Sequence, residues 1–111
     1  MRNPPSLRSG RDFRRVLENG RRATRDGLVA VALPNDLSPE VSRLGLAVRC
    51  KGGAVARNRV KRRIRAAFRQ LDLSDGHDVV IQADDRILRA RYPRLVKDLG
   101  DALDRATGAS R

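Results

Sequence analysis

The sequence has few aromatic residues and a single cysteine. Phe13, Phe68 and Tyr92 are the only aromatic residues among 111, and Cys50 is the only thiol. So few rings argue against a domain of the RNA-recognition-motif type, which stacks bases on aromatic side chains of its sheet. One cysteine excludes an internal disulfide and provides too few ligands for a structural zinc site. We therefore expect a reducing compartment and a cytoplasmic protein.

Long apolar runs are also absent. No stretch approaches the roughly 18 apolar residues that a membrane span requires, and residues 1–5 contain nothing like the apolar core of a signal peptide. The length suits one domain with its own core, and 40% hydrophobic residues indicate a globular chain. We predict a single domain over residues 1–111, with a flexible segment at 1–8, a frayed tail at 107–111 and no membrane contact.

Acidic residues are missing from one long part of the chain. Residues 41–71 carry ten Arg or Lys and no Asp or Glu, whereas residues 72–111 carry seven basic and eight acidic side chains. The formal net charge is +12, and its excess lies before residue 72. A localised positive field attracts phosphate backbones and speeds encounter with them, so nucleic acid is the leading candidate partner.

The densest charge lies in residues 57–69, where seven of thirteen side chains are cationic. At 100° per residue, one sector collects apolar positions and the opposite sector collects polar ones, which predicts a helix with one buried side. The apolar sector contains Val60, Ile64, Ala67, Phe68 and Leu71. The polar sector contains Asn58, Lys61, Arg62, Arg65 and Arg69. A solvated helix surface usually interleaves acids with bases, and this one has no acid, which favours a phosphate-binding surface.

The rest of the chain alternates helical and strand patterns. Patterning and turn signals predict a helix at 11–19, a basic edge strand at 21–25, strands at 28–33, 43–49 and 78–83, and a helix from Tyr92 to Ala106. We expect the strands at 28–33 and 43–49 to form an antiparallel pair. Between the third strand and the basic helix, Gly52 and Gly53 predict a plain loop rather than a phosphate-cradling turn.

Candidate catalytic groups are weak. His77 is the only histidine and is predicted to lie in a loop. Asp84, Asp85 and the spaced acids Asp98, Asp101 and Asp104 are more typical of a strand end and of an exposed helix side than of metal ligands. Phe68 is predicted to pack in the core. Phe13 has two interpretations, either core packing or a ring that supports single-stranded RNA at a cleft.

The segment from Gly52 to Arg65, GGAVARNRVKRRIR, closely resembles the RNR signature of the bacterial ribonuclease P protein subunit. Further support comes from DFRRV at 12–16, LGLAV at 44–48 and DVVI at 78–81. The resemblance implies a two-layer α/β sandwich of the α+β class, in the order α-β-β-β-α-β-α. It also implies that the RNR helix lies in an uncommon left-handed βαβ crossover.

The same resemblance implies a function. The family member is the protein partner, in a 1:1 complex, of a catalytic RNA that removes the 5′ leader from precursor tRNA by metal-assisted hydrolysis. The RNA would hold the scissile phosphate and the magnesium ions, so no catalytic residue is expected in the protein. Asn58 would contribute weakly to a metal ion, together with RNA phosphates.

Residue by residue, the resemblance assigns two surfaces. The residues expected to contact the catalytic RNA are Arg57, Asn58, Arg59, Lys61, Arg62, Arg65 and Arg69. The residues expected to line the leader cleft are Phe13, Val31, Arg49 and Lys51. The family often has aromatic residues at the positions of Leu17 and Val31, an asparagine at Gly53, and a serine and two lysines in place of Val48, Arg49 and Cys50. We therefore expect weaker stacking on the leader here.

Two rival functions remain at this stage. A general or ribosomal-type protein of the same fold would bind structured RNA without promoting cleavage. A self-sufficient nuclease would need clustered acids or a suitably placed histidine, and the sequence offers neither.

Overall fold

The fold is described from a computed structural model, which covers residues 5–37, 41–71 and 76–108. Its elements follow one another in the expected order α-β-β-β-α-β-α, with a 3₁₀ helix added before the last helix. They are α1 (Gly10–Asn19), β1 (Arg21–Arg25), β2 (Leu28–Pro34), β3 (Arg43–Arg49), α2 (Gly53–Arg69), β4 (His77–Asp84), the 3₁₀ helix (Asp85–Leu88) and α3 (Tyr92–Thr107). The predicted fold class is confirmed.

The four strands form one sheet in the order β1-β2-β4-β3. Strand β4 lies between β2, to which it is antiparallel, and β3, to which it is parallel; Ile81 pairs with Ala30 on one side and with Leu46 on the other. The predicted antiparallel pairing of β2 with β3 is therefore wrong. The reason is burial: residues 77–81 of β4 are all buried, so β4 takes the central position between two strands and β3 lies at the edge.

Helices cover both faces of the sheet. Helices α2 and α3 bury the larger core on one face, where Ile64, Leu99 and Ile81 are all 0% exposed. Helix α1 covers part of the opposite face, where Val16 packs in a smaller cluster with Val31 and Val80. Helix α2 connects the parallel strands β3 and β4, and the left-handed sense of this crossover stays a prediction.

The N-terminal segment is attached to the sheet. Leu7 donates its N–H to the Leu44 carbonyl at 2.9 Å, Leu44 donates to the Pro5 carbonyl at 2.8 Å, and Leu7 is buried. The expectation of a flexible segment is corrected for residues 5–7, because these hydrogen bonds extend the sheet beyond β3. Residues 1–4 lie outside the described part of the chain. At the other end, α3 continues to Thr107 and is capped by Gly108, while 109–111 are not described.

Candidate nucleic-acid interface

Helix α2 has the two sides that its sequence predicts. Val60, Ile64 and Ala67 are 0% exposed and Phe68 is 7% exposed, all against the sheet and α3. Phe68 is therefore a core residue, as expected. Leu71 follows the helix and is half-buried. This anchored side fixes which way the polar side of α2 points.

The polar side forms a surface that we call the cationic ridge. Its members are Arg57, Asn58, Arg59, Lys61, Arg62, Arg65 and Arg69. All seven side chains are exposed or half-exposed. Apart from Arg69, none has a hydrogen bond or ion pair within the described residues. A shallow recess of about 310 Å³ lies among Asn58, Arg62, Arg65 and Arg69. The ridge thus presents donors and positive charge that the protein itself leaves largely unused.

One cation of α2 is not part of this ridge. Arg63 is half-buried and donates from Nη2 to the Ala90 carbonyl at 2.8 Å and from Nη1 to the Ile87 carbonyl. Both carbonyls belong to the 3₁₀ helix or the turn that follows it. Arg63 therefore joins the basic helix to this segment, a role that charge counting on the sequence does not reveal.

The backbone conformation of Gly53 explains why a glycine stands at the start of α2. Its φ angle is 78°, in the left-handed region that favours glycine, and α2 starts at this residue. No side chain caps the first turn of α2 and no acid lies within it. The helix begins four residues before the basic stretch, so the glycine turn and the ridge belong to one rigid element.

A second surface lies on the sheet face that α1 only partly covers. The ring of Phe13 lies over Gly45, where an added Cβ would come within 2.6 Å of Phe13 Cζ. Because side chains alternate along a strand, Ala47 and Arg49 follow Gly45 on the same face. We call the open part of this face the sheet cleft, with a floor of Val29, Ala47 and Gln82 and a cavity of about 410 Å³ that Arg49 also lines.

Phe13 connects the two surfaces. It is half-buried, and it lines a groove of about 300 Å³ together with Arg8, Lys61 and Arg65. Lys61 and Arg65 belong to the cationic ridge, whereas Phe13 also stands at the α1 end of the sheet cleft. The ring of Phe13 therefore lies between the cationic ridge and the sheet cleft.

Two of the expected cleft residues are positioned differently from the prediction. Val31 is 0% exposed beneath α1, packed with Val16, so contact with a leader is not available to it and this assignment is corrected. A valine there is smaller than an aromatic ring, and α1 closes over it. Lys51 is exposed in the turn between β3 and α2 and does not line the cleft cavity.

A buried carboxylate behind α1 was missed at the sequence level. Asp78 is 0% exposed and receives hydrogen bonds from Arg15 on α1, Arg43 on β3 and Asn35. Burial by itself raises the pKa of Asp78, but the hydrogen bonds from Arg43, Asn35 and Arg15 outweigh it and hold the pKa below its usual range. This network fixes α1, and hence Phe13, on the sheet.

The remaining candidates for catalysis or metal binding do not form a site among the residues that the structure covers. The expected loop position of His77 is wrong: His77 is buried as the first residue of β4, where its N–H donates to Ser42 Oγ. Within the described residues, no three side chains of the His, Cys, Asp or Glu type gather as a metal site. Nor does any helix in the described part of the chain have the length and apolarity to cross a membrane.

Comparison with protein families gives one match over nearly the whole chain, to the model described as Ribonuclease P, at residues 1–107. A ribonuclease P protein component of Caldanaerobacter subterraneus subsp. tengcongensis is 36% identical over 96 residues, covering 84% of this chain and 81% of that protein. The corresponding protein of Streptomyces griseus is 37% identical over 112 residues, covering 92% and 91%.

Solved structures agree with this match. The RNase P protein from Thermotoga maritima has a TM-score of 0.73 and 27% identity, with 86% of this chain and 92% of that chain covered. The RNase P protein of Staphylococcus aureus has a TM-score of 0.74 over 89% and 92% of the two chains, and at 24% identity it supports the fold alone.

Proposed function

The chain belongs to the family of bacterial ribonuclease P protein components, and we propose that it binds the catalytic RNA through the cationic ridge and the precursor-tRNA leader through the sheet cleft. It is a subunit of a ribonucleoprotein endoribonuclease that removes the 5′ leader of precursor tRNA. Its partners are the catalytic RNA and the precursor tRNA. We further propose that it works in the cytoplasm, as one protein for each RNA.

The observation that carries the proposal is the set of unpaired donors on α2. Six ridge residues make no hydrogen bond or ion pair within the described residues, and their helix is anchored by four buried side chains. Crowded like charges repel one another along a helix by a few tenths of a kcal/mol per pair, and phosphates would relieve that repulsion. Arginine suits this role because its planar fork binds phosphate in a bidentate manner.

The leader is proposed to run along β3, from Phe13 to Arg49. An unpaired base would stack on the half-exposed ring of Phe13, and the apolar floor of Val29 and Ala47 would receive the next bases. Arg49 and the ridge cations Lys61 and Arg65 would contact the leader phosphates. Single-strand binding of this kind combines stacking with a positive groove and needs little sequence preference.

The donor set of the ridge fits a minor part in holding magnesium. Mg²⁺ prefers oxygen ligands in octahedral geometry, and Asn58 contributes the only neutral side-chain oxygen on a ridge of cations. We propose that RNA phosphates hold the magnesium ions that support hydrolysis, with Asn58 as an additional ligand or water-ordering group. The ridge cations would lower the repulsion between the RNA segments that meet beside those ions.

These surfaces give the protein a way to distinguish precursor from product. A precursor carries the leader that fills the sheet cleft, and mature tRNA has nothing to place there. The cleft therefore adds binding energy to the precursor alone, and cleavage removes that energy as the leader separates from the tRNA.

Reconstitution tests the function. The purified protein, a bacterial ribonuclease P RNA and precursor tRNA are combined at a low magnesium concentration, and release of the 5′ leader is measured. We expect stimulation only when all three are present. A protein that cleaves without the RNA would be a self-sufficient nuclease, and one that binds the RNA without raising cleavage would be a general RNA-binding protein. The Arg62→Ala/Arg65→Ala variant is the matched control for loss of the ridge.

A further inference from the structure

A second group of arginines lies outside both surfaces described so far. Arg86, Arg89, Arg91 and Arg94, which we call the second arginine surface, occupy the 3₁₀ helix, the turn after it and the first turns of α3. All four are exposed, and residues 86–97 contain no acid. They surround a recess of about 500 Å³ whose wall also includes Asp26 and Asp98.

Two of these arginines pair with acids, and the other two have no acidic partner in the described part of the chain. Arg86 pairs with Asp84 at 2.8 Å and with Asp26 at 3.1 Å, and Arg94 pairs with Asp98 at 3.4 Å. Within the described residues, Arg89 and Arg91 form no hydrogen bond or ion pair through their side chains. Arg89 still lies close enough to Asp84 to help lower the pKa of that carboxyl.

This pattern differs from an ordinary solvated surface. Farther along α3, the exposed cations alternate with acids at helical spacing, as in Lys97 with Asp101 at 3.1 Å. Such i,i+4 pairs are typical of a helix that faces only water. Within the described residues, Arg89 and Arg91 have no such partner, although both side chains are exposed.

The backbone that carries these two arginines is held by the basic helix. Arg63 donates to the carbonyls of Ile87 and Ala90, on either side of Arg89, and Gln70 Nε2 donates to the Tyr92 hydroxyl at 2.7 Å. Ile87 itself is 2% exposed. The second arginine surface therefore keeps a fixed position relative to α2.

The surface also adjoins the sheet cleft. Arg86 lines the cleft cavity beside Arg49 and Gln82, and it lines the arginine recess beside Arg89 and Arg91. An RNA leader that leaves the cleft at this end would therefore meet the second arginine surface next.

We propose that Arg89 and Arg91, supported by Arg86 and Arg94, bind the phosphate backbone of the upstream part of the precursor-tRNA leader, beyond the nucleotides in the sheet cleft. This inference rests on the proposed function and extends it to longer leaders. Arginine forks suit phosphates, and contacts of this kind carry no base preference. The surface would therefore make affinity depend on leader length rather than on leader sequence.

The test uses the reconstituted complex and two precursor tRNAs, one whose leader ends within the cleft and one whose leader extends well past it. Arg89→Ala/Arg91→Ala is compared with Lys97→Ala/Arg105→Ala, which removes the same charge from α3 away from the recess. We expect the first variant to weaken binding of the long-leader substrate only. The slope of log affinity against log salt concentration, the salt slope, should fall in magnitude by about 0.7 for each lost single-strand contact. Arg89→Lys/Arg91→Lys should restore much of the loss.

Three outcomes would overturn the proposal. Equal weakening of both substrates and of the catalytic RNA would assign the surface to that RNA. Equal effects of the two alanine variants would indicate net charge alone, and no effect of either would indicate a solvated surface. Failure of the underlying function is separable, because the wild-type protein would then not stimulate cleavage of the short-leader substrate.

Discussion

Arg43 holds the buried carboxylate of Asp78 with two hydrogen bonds, Nε to Oδ1 at 2.8 Å and Nη2 to Oδ2 at 2.6 Å. Arg15 on α1 adds a third at 2.5 Å, and Asn35 Nδ2 adds a fourth at 3.0 Å. The carboxylate thus connects α1, β3 and β4 at the closed end of the sheet face that carries the cleft. Its loss should affect both stability and the position of Phe13.

Asp78→Asn should lower the free energy of unfolding by about 3 kcal/mol. That is the lower end of the usual cost of removing one partner of a buried pair, because Arg43 and Arg15 keep partial access to water. Urea denaturation measures the change. Arg15→Gln is the matched control and should cost less, since the carboxylate keeps its Arg43 and Asn35 donors. Equal stability of wild type and Asp78→Asn would contradict the importance of this network.

The same carboxylate should make stability depend on acid. Because the folded pKa of Asp78 lies below its unfolded value of about 3.9, its contribution is complete above that pH and is lost as the pH falls through the folded pKa. Asp84, whose pKa is lowered by its hydrogen bond from Arg86, adds an effect of the same sign. Melts between neutral pH and about pH 2 should show a steeper acid loss in wild type than in Asp78→Asn. Parallel curves would contradict this assignment.

The strand pairing shows where reading the sequence succeeds and fails. The strands were located within a residue or two, because apolar runs and turn residues are local signals. The expected β2–β3 pair is wrong because strands that are neighbours in sequence need not be neighbours in a sheet. Burial indicates the observed order: the apolar runs in β2 and β4 are typical of strands buried on both faces, whereas the basic strand β1 and the half-buried strand β3 lie at the edges.

The candidate site also has a part that the sequence predicts and a part that it does not. The cationic ridge could be predicted, because helical periodicity on one element decides which side is buried. The sheet cleft could not be predicted from periodicity, since Phe13, Arg49 and Gln82 come together only through tertiary packing; only the family resemblance assigned Phe13 and Arg49 to a cleft. Arg63 and Asp78 were missed for the same reason: a charged residue that binds distant carbonyls or distant guanidinium groups looks like any other charge in the sequence.

Arg62→Ala/Arg65→Ala should weaken binding of the catalytic RNA without unfolding the protein. Both side chains lie on the ridge and make no hydrogen bond or ion pair within the described residues. Each lost phosphate contact should reduce the salt slope of binding by roughly 0.7 to 0.9. Titrations at several salt concentrations measure it, with Lys97→Ala/Arg105→Ala as the equal-charge control. A folded variant with an unchanged slope would remove the ridge from the interface.

Ile64→Asp should unfold the protein rather than only disable it. Ile64 lies on the side of α2 that packs against the sheet and α3, and it is 0% exposed. An aspartate there would bury an unpaired carboxylate at a cost of several kcal/mol. Circular dichroism and a thermal melt measure the loss. Ile64→Val, which keeps the site apolar, should cost only about 0.5 to 1.5 kcal/mol. A native-like melt of Ile64→Asp would contradict the burial of this side of α2.

Phe13→Ala should lower affinity for precursor tRNA with a leader by about 1 to 3 kcal/mol, the usual contribution of one base–aromatic stack. Mature tRNA should bind the reconstituted complex as before, because it has no leader to stack. The complication is that Phe13 also packs over Gly45 and beside the Val16 cluster, so its removal opens space in the fold. A fully buried phenylalanine would cost about 3 to 5 kcal/mol of stability, and the half-exposed Phe13 should cost less.

Phe13→Leu separates the two effects of that substitution. Leucine keeps most of the packing over Gly45 but offers no ring for a base, so this variant should melt close to wild type and still lose the preference for precursor over mature tRNA. The measurement is a leader-length binding series beside a thermal melt. If Phe13→Leu retained full leader affinity, or if both variants weakened precursor and mature tRNA equally, Phe13 would be a packing residue and the leader would lie elsewhere.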